Sequence, residues 1–496
     1  MTAKRTILFF LLLSALIPTP LVKADPGWLT GWTKRVKITI DSGDIDTALT
    51  DFPILIYLSD SSGINGEDIT FVFDEVGANS LKIAVTLSDG TTECYTEIEK
   101  WDLGNERAWI WTKISAISNL VDTEVYLYYD NNHADNNAYV GITNSEVAEN
   151  VWDPDFLMVQ HQAGDSSPIR DSTDNDNDMT ETGDPTYQQS GPIDGEVDYD
   201  GSDYHVSAIN VFDPIVGTDK GTIELWIKTI QSTAATRVYF SIEGAYSICQ
   251  ISGQGGVLDA YWSGTHNDAA TTTTQINTGA QFYLSTTYDG ANQRVFVNAG
   301  LEDTDACNLY DVTALNRPST IASQWDGTLF VDGNIDEVRI SKIDRSASWI
   351  KATYETGQDD LIDFGSEEIK VLESPTNLFG AGFNSSSPYV DLYWKSNLTT
   401  ISFFEVQNST DKVSWDYLGQ STTRNYKDYQ VVNGLERYYR VRACNFTGGA
   451  WDNSSFTDIN FEKVYFVSEG GGLFPGLAIG ISLLIIGAIY ALEKRR

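Results

Sequence analysis

The sequence predicts an all-β protein: three β-sandwiches in tandem, followed by one apolar C-terminal helix. Three observations carry this. Short runs of alternating apolar and polar residues, bounded by Gly, Asn, Asp and Ser, recur along the chain, whereas long stretches of helical periodicity are scarce. A chain of 496 residues with 41% hydrophobic and 12% aromatic side chains exceeds what one core organises, so three domains are expected. Two distant stretches, Gly195 to Tyr204 (GEVDYDGSDY) and Gly333 to Thr356 (GNIDEVRISKIDRSASWIKATYET), read as the two ends of one sandwich. In the first, Val197 and Tyr199 share one strand face and Glu196, Asp198 and Asp200 share the other. In the second, Ile335, Val338 and Ile340 mark the closing strand.

Charge narrows the function classes. The chain carries 70 acidic and 32 basic residues, a net charge of −38. Residues 374–468 are nearly neutral, with 9 acids and 8 bases, so residues 25–373 hold about −41. Such a field repels nucleic acid and anionic membrane surfaces. It suits a solvated extracellular surface, a high-salt habitat or divalent-cation binding. The four cysteines match no metal or catalytic spacing. Cys249 and Cys307 fall in one expected domain, where an oxidising compartment permits a disulfide; the alternative is two buried thiols. Cys94 and Cys444 read as small core residues.

Residues 1–24 read as a secretory signal: Lys4 and Arg5, the apolar stretch Ile7 to Ile17, and Val22-Lys23-Ala24 before the cut. Residues 25–148 then give an antiparallel series: the strand within GWTKRVKITI, then DFPILIYL, ITFVF, TEIEKWD, AWIWTKI and TEVYLYYDN. Trp101, Trp109 and Trp111 suit either a sugar platform or a core, and the strand alternation of Trp109 and Trp111 favours the core. The opening basic-x-I-T-I strand, FPILI, E-I-E-x-W, W-x-W-T-K-I and V-Y-L-Y-Y-D-N together resemble the domain-of-unknown-function family numbered 2341. That resemblance implies a β-sandwich of secreted, multi-domain surface proteins, often placed directly before a laminin-G-like domain, and implies no activity.

Residues 151–362 hold the paired stretches described above. Between them lie TIELWIKT, RVYFSI, YSICQIS, LDAYWS and the hairpin FYLSTTYDG–ANQ–RVFVNAG with its Asp289-Gly290 turn. The opening apolar-D-G-x-D-Y strand, the T-Y-D-G hairpin and the closing G-x-I-D-E-V-R-I followed by a short helix resemble laminin-G-like, concanavalin-A-like jelly rolls. The family's acidic loop corresponds here to RDSTDNDNDMTETGD, where Asp171, Asp174, Asp176 and Asp178 crowd together and Met179 stands in place of the usual glycine. Ca²⁺ takes six to eight oxygens, which clustered loop carboxylates can supply. The expectation is a Ca²⁺ site shared with Asp200, Asp203 or Asp336; the alternative is a solvated acidic loop. In lectin relatives ligands meet one rim or the concave sheet, which marks Tyr261, Trp262, His266 and Trp325 as rim aromatics for a sugar, with core or edge packing as the alternative.

Glu196, Asp198 and Asp200 also resemble the E-x-D-x-E strand of concanavalin-like glycoside hydrolases, whose retaining chemistry needs two carboxyls about 5 Å apart. Asp200 is one methylene shorter than the glutamate of that pattern, and an ordinary opening strand explains the same residues. The four histidines, His133, His161, His205 and His266, are scattered and form no H-E-x-x-H motif. The chain is therefore read as a non-enzyme.

Residues 363–374 read as a linker. In residues 375–467, VDLYW at 390–394, FEV at 404–406 and YRVRACN at 439–445 resemble three strands of a fibronectin type III domain. All five N-x-(S/T) sequons fall here, at Asn384, Asn397, Asn408, Asn445 and Asn453, which suggests a glycosylated stalk. Residues 473–492 form an apolar run long enough to span a bilayer, with Lys494-Arg495-Arg496 in the cytoplasmic tail 493–496. The tail also resembles prokaryotic sorting signals, and the whole resembles an archaeal or archaeal-virus surface protein. The functional expectation is a membrane-anchored adhesion or carbohydrate-binding protein, Ca²⁺-assisted, with a carbohydrate or surface glycoprotein as partner. A self-assembling component of a surface layer or virion envelope and a glycoside hydrolase are the alternatives.

Overall fold

In the computed structural model, the described residues are 27–212, 220–262, 269–307, 316–370, 376–383, 389–396, 401–430, 437–447, 450–454 and 456. The signal segment 1–24, the span 473–492 and the tail 493–496 lie outside them, as do His266, Asn384 and Asn397. Among the described residues no helix is long and apolar enough to cross a membrane. The chain divides into two compact units, residues 1–368 and 369–496.

The first unit contains two sandwiches. In the first, strand Lys34–Ile40 buries Val36, Ile38 and Ile40 and pairs antiparallel with Thr123–Tyr129. Their five-stranded sheet runs Ile362–Ile369, Lys34–Ile40, Thr123–Tyr129, Ile83–Thr86, Glu93–Cys94. The facing sheet runs Phe52–Leu58, Arg107–Ile114, Thr96–Asp102, Val140–Ile142. One expected strand is a helix instead: Phe71–Val76 buries Val72, Phe73 and Val76 and stops at Gly77, whose φ is 56°. A short apolar run does not by itself distinguish strand from helix. Here the Asp68 carboxylate accepts from the Thr70 N–H and hydroxyl in the turn before the helix.

The second sandwich sets a seven-stranded sheet (Thr180–Thr182, Tyr204–Ile209, Pro318–Ile321, Arg237–Ile242, Tyr246–Gln250, Leu258–Tyr261, Ala270–Thr271) against an eight-stranded one. The latter runs Thr186–Ser190, Gly195–Asp200, Asp332–Ser341, Gly221–Lys228, Gln281–Tyr288, Asn292–Val297, Gly300–Ala306, with Phe156–Gln160 also paired to Asp332–Ser341. The opening and closing strands are neighbours, Val197 opposite Ile335 and Tyr199 opposite Gly333. Asp289 closes the hairpin as expected, its carboxylate accepting from the Ala291 and Asn292 N–H groups while Gly290 takes φ 100°.

The stretch assigned to a linker is partly structural. Residues 362–369 form a strand that completes the edge of the first sandwich's five-stranded sheet. Helix Ala347–Gly357, capped by Ser346, leads the chain back. On the way the Leu55 N–H donates to Thr356 Oγ1, the Gly63 N–H to Asp359, and Ser348 exchanges hydrogen bonds with the Thr47 backbone. Trp349 meets Phe52 edge-on at 4.7 Å. One apolar cluster therefore joins Phe52, Ile54 and Trp111 of the first sandwich to Trp226, Tyr283, Phe296 and Trp349 of the second.

None of the four cysteines is in a disulfide, and all are buried. The expected Cys249–Cys307 bridge does not form because Cys249 lies on the seven-stranded sheet, opposite Val238 and Asp259, while Cys307 follows the edge strand of the other sheet.

The second unit has two sheets, Thr376–Phe383, Tyr389–Lys395, Asn425–Asp428 and Asp416–Ser421, Phe403–Ser409, Tyr438–Thr447, Ala450–Asn453. Val390, Leu392, Trp394, Phe404, Val406 and Val441 make its core. Of the sequons, Asn453 is exposed and Asn445 half-buried, but Asn408 is 4% exposed on a paired strand, which leaves no room for a glycan there.

Candidate functional site

The acidic loop of the second sandwich is a closed structure. Asp171 is fully buried: Oδ1 accepts from the Val159 and Thr173 N–H groups, Oδ2 from the Asn177 N–H and the Thr173 hydroxyl. Burial pushes its pKa up to about 7 against those donors. Asp178 accepts from the Asp171 N–H and from Arg170, while Asp174 and Asp176 are exposed. Asp200 is exposed and holds the Ser202 N–H and hydroxyl; Asp203 is buried and accepts from the Asp184 N–H. Asp336 is buried and accepts from the Glu337 and Ile193 N–H groups. No three of these seven carboxylates bring oxygens within 4.8 Å of one another. The sequence crowds them; the fold separates them, because Asp171 staples the loop inward.

The rim aromatics also divide. Trp262 is a core residue, 1% exposed, packed on Tyr246 and Tyr288 with its indole N–H on Thr286, so it is not a ligand platform. Tyr261 is half-buried on the seven-stranded sheet opposite Ser247. Trp325 is half-buried on a loop, packed over the turn glycine Gly244 (φ 72°), with the Arg317 guanidinium 4.0 Å from its ring centre. In the first sandwich Trp101 packs on Phe73 and Trp109 on Tyr57, as a core reading requires.

The densest chemistry lies where the two sandwiches of the first unit meet. Strand Thr96–Asp102 contributes Glu97 and Glu99; the segment after Phe156–Gln160 contributes His161; strand Asp332–Ser341 contributes Asp336, Glu337 and Arg339. That last strand bulges opposite Leu225, with Glu337 at φ 50°, which turns Glu337 outward beside Asp336 and Arg339. His161 Nδ1 is 2.7 Å from Glu337 Oε1 and 3.5 Å from Glu99 Oε2, and Nε2 is 3.5 Å from Glu97 Oε1. Each carboxylate has a donor behind it: Trp152 Nε1 and the Ser172 hydroxyl on Glu97, Trp111 Nε1 on Glu99, Arg339 on Glu337. Arg339 lies over Trp111 at 4.4 Å, and Trp111 stacks on His161. Asp194, Glu196 and Glu224 add further buried carboxylates nearby.

The electrostatics follow from this crowding. Burial disfavours an imidazolium, but Glu337, Glu99 and Glu97 outweigh it and hold His161 well above its ordinary pKa. Burial raises Glu99 to about 8, with His161 opposing and Glu337 assisting. Burial also raises Glu337, yet His161 and Arg339 bring it below the ordinary value. Glu99 and His161 border a cavity of about 290 Å³, lined also by Thr143, Gln162, Arg170 and the segment 163–169.

Comparison with known families matches residues 65–146 to the domain of unknown function DUF2341, and residues 200–351 to the concanavalin A-like lectin/glucanases superfamily. The chain carries a DUF2341 segment followed by a concanavalin A-like domain. Among solved structures it is similar to domain 4 of AbnA, an extracellular GH43 arabinanase from Geobacillus stearothermophilus in complex with arabinotriose. There the identity is 20%, the match covers 40% of this chain and 96% of that one, and the TM-score is 0.33. It is also similar to the receptor binding domain of a botulinum neurotoxin C/D mosaic serotype, at 10% identity over 58% of this chain and 73% of that one, with a TM-score of 0.32. No curated protein matches.

In the concanavalin A-like domain, the strand that resembles a hydrolase motif has its acid–base character reversed. Burial raises Glu196, at the place of the nucleophile, to about 7, with Lys228 opposing from 3.8 Å. Asp200, at the place of the general acid, is held below its ordinary value by Ser202. A retaining pair needs the acid raised and the nucleophile ionised.

Glu99, His161 and Glu337 were not singled out from the sequence. Two signals pointed to them: the alternation of Glu97 and Glu99 either side of Ile98 in TEIEKWD, and the three-residue gap from Ile335 to Val338, which breaks strand alternation and marks the bulge.

Proposed function

We propose that this is an extracellular surface protein whose concanavalin A-like domain binds carbohydrate and does not cleave it. The observation that carries this reading is the lectin/glucanase family match at residues 200–351, directly after a strand in which burial raises Glu196 while Ser202 holds Asp200 low, the reverse of the order that retaining hydrolysis needs. The packing supports a particular binding side. Helix Ala347–Gly357 covers Trp226 and Tyr283 with Tyr354 on the outer face of the eight-stranded sheet, so a ligand is left the loops and edges of the seven-stranded sheet. Trp325, with Arg317 beside it, and Tyr261 are half-buried aromatics there, as are Tyr204 and Phe330, which pack on each other; an aromatic face with a flanking donor, as at Trp325, suits a sugar.

The residues 375–467 serve in this reading as a fibronectin type III-like spacer. Their strand order, three strands facing four around Trp394, supports it, as does the Tyr439 hydroxyl bonded to Asp428. Anchoring through residues 473–492 completes the proposal. Binding of wild type, Trp325→Ala and Glu196→Gln to immobilised polysaccharides tests it. Trp325→Ala is expected to lose at least tenfold in affinity and Glu196→Gln to bind as wild type does; equal binding by all three contradicts the assigned side.

A further inference from the structure

We propose that Glu99, His161 and Glu337 form a divalent metal site of the zinc class at the junction of the two sandwiches. These are the only three such groups among the described residues whose ligand atoms all lie within 4.8 Å of one another. Ligand atoms around a tetrahedral or octahedral Zn²⁺, with bonds of about 2.0–2.2 Å, lie about 3–3.5 Å apart. The Nδ1 separations of 2.7 and 3.5 Å from Glu337 and Glu99 need shifts of only a few tenths of an ångström to meet that, an order-of-magnitude reading of the same bond lengths.

Three independent features point to a cation rather than to a solvated acidic patch. The Glu99 side chain is 1% exposed and its Oε1 has no hydrogen-bond partner among the described residues. His161 is likewise buried, and its Nε2 lacks a hydrogen bond while facing Glu97 at 3.5 Å. With Nδ1 on a metal, Nε2–H donates to Glu97, the carboxylate–histidine–metal arrangement that fixes ring orientation. Glu97 Oε2 and Glu337 Oε2, the oxygens turned away from His161, are held by Trp152 and Arg339, and Trp111 fixes Glu99 through Oε2, which leaves Oε1 free among the described residues.

Charge argues the same way. Buried carboxylates at this junction outnumber the buried cations Arg339 and His161. A divalent ion adds positive charge where it is lacking. The donor set selects among cations: one imidazole and two carboxylates suit Zn²⁺ or a similar transition ion, whereas Ca²⁺ wants six to eight oxygens. The adjoining cavity supplies an entry path and room for a water ligand.

The test uses the untagged full chain, stripped with EDTA and dialysed against Zn²⁺ or Ca²⁺. The expected result is one equivalent of Zn²⁺ retained per chain, at least tenfold tighter than Ca²⁺, and weakened at least tenfold by Glu99→Gln, His161→Gln and Glu97→Gln. No retained Zn²⁺, or affinity unchanged in all three variants, overturns the proposal. Should the variants fail to fold, X-ray absorption at the zinc edge of the wild-type chain decides. A nitrogen and oxygen shell with a single imidazole supports the site; an all-oxygen, sulfur-containing or multi-imidazole shell overturns it.

Discussion

Asp171 shows how one side chain can look like a ligand and act as a brace. Its four accepted hydrogen bonds tie the strand Phe156–Gln160 to both ends of the acidic loop. Removing a buried acceptor leaves its donors unsatisfied, at about 1–3 kcal/mol for each group left unpaired. Asp171→Ala is therefore expected to destabilise the first unit by about 2–4 kcal/mol in urea unfolding, given partial relaxation. A change below about 0.5 kcal/mol, the size of an ordinary surface substitution, contradicts the bracing role. The sequence shows which residues are acidic and where they cluster, but not which of them turn inward. Asp174 and Asp176 stay in solvent while Asp171, in the same loop, is buried, because the neighbouring N–H groups of residues 159, 173 and 177 converge on it alone. Trp262 and Trp325 make the same point: both read as rim aromatics, and only the strand-end position of Trp262 over Tyr288 commits it to the core.

Among the elements, helix Ala347–Gly357 and strand Ile362–Ile369 decide the architecture. Both stretches were legible in part: the closing strand and short helix follow from the periodicity of residues 333–356, whereas DFGSEEIK is polar enough to read as a linker. It becomes a strand because it borders Lys34–Ile40 at a sheet edge, where exposed Glu residues are tolerated and Ile362 and Phe364 supply the buried side. Asp359, in the turn between helix and strand, accepts from the Gly63 N–H, and burial raises its pKa to about 7. An unfolded Asp titrates near about 3.9, so the folded state holds this proton more tightly. Its contribution to stability is then present at low pH and lost as pH rises from about 4 through about 7. Asp359→Asn should flatten that slope, with a melting temperature that changes less between pH 5 and pH 8 than in wild type; an unchanged slope contradicts the role.

For the molecule as a whole, the core of the first sandwich runs across the junction and takes in side chains of the second, which also keeps a core of its own around Val197, Ile223, Leu284 and Trp262. The reason is that Trp152 and Trp349 of the second segment pack on Trp111 and Phe52 of the first, contacts that strand alternation alone does not reveal. Each such side chain contributes about 1.5–3 kcal/mol when covered. Residues 151–362 expressed alone should bind hydrophobic dyes and aggregate, while residues 25–368 stay monomeric and melt in one transition. A soluble, cooperative 151–362 fragment contradicts the apolar junction. The buried Glu99–His161–Glu337 cluster depends on this same junction: its three residues come from segments that neither sandwich brings together by itself, which is why their spacing in sequence hides them.

The most direct measurement is a glycan array probed with the full chain in millimolar Ca²⁺ and again in EDTA. The account predicts binding to a defined class of glycan that leaves the glycan intact. Absence of binding in both conditions, or conversion of the bound glycan to shorter products, contradicts it.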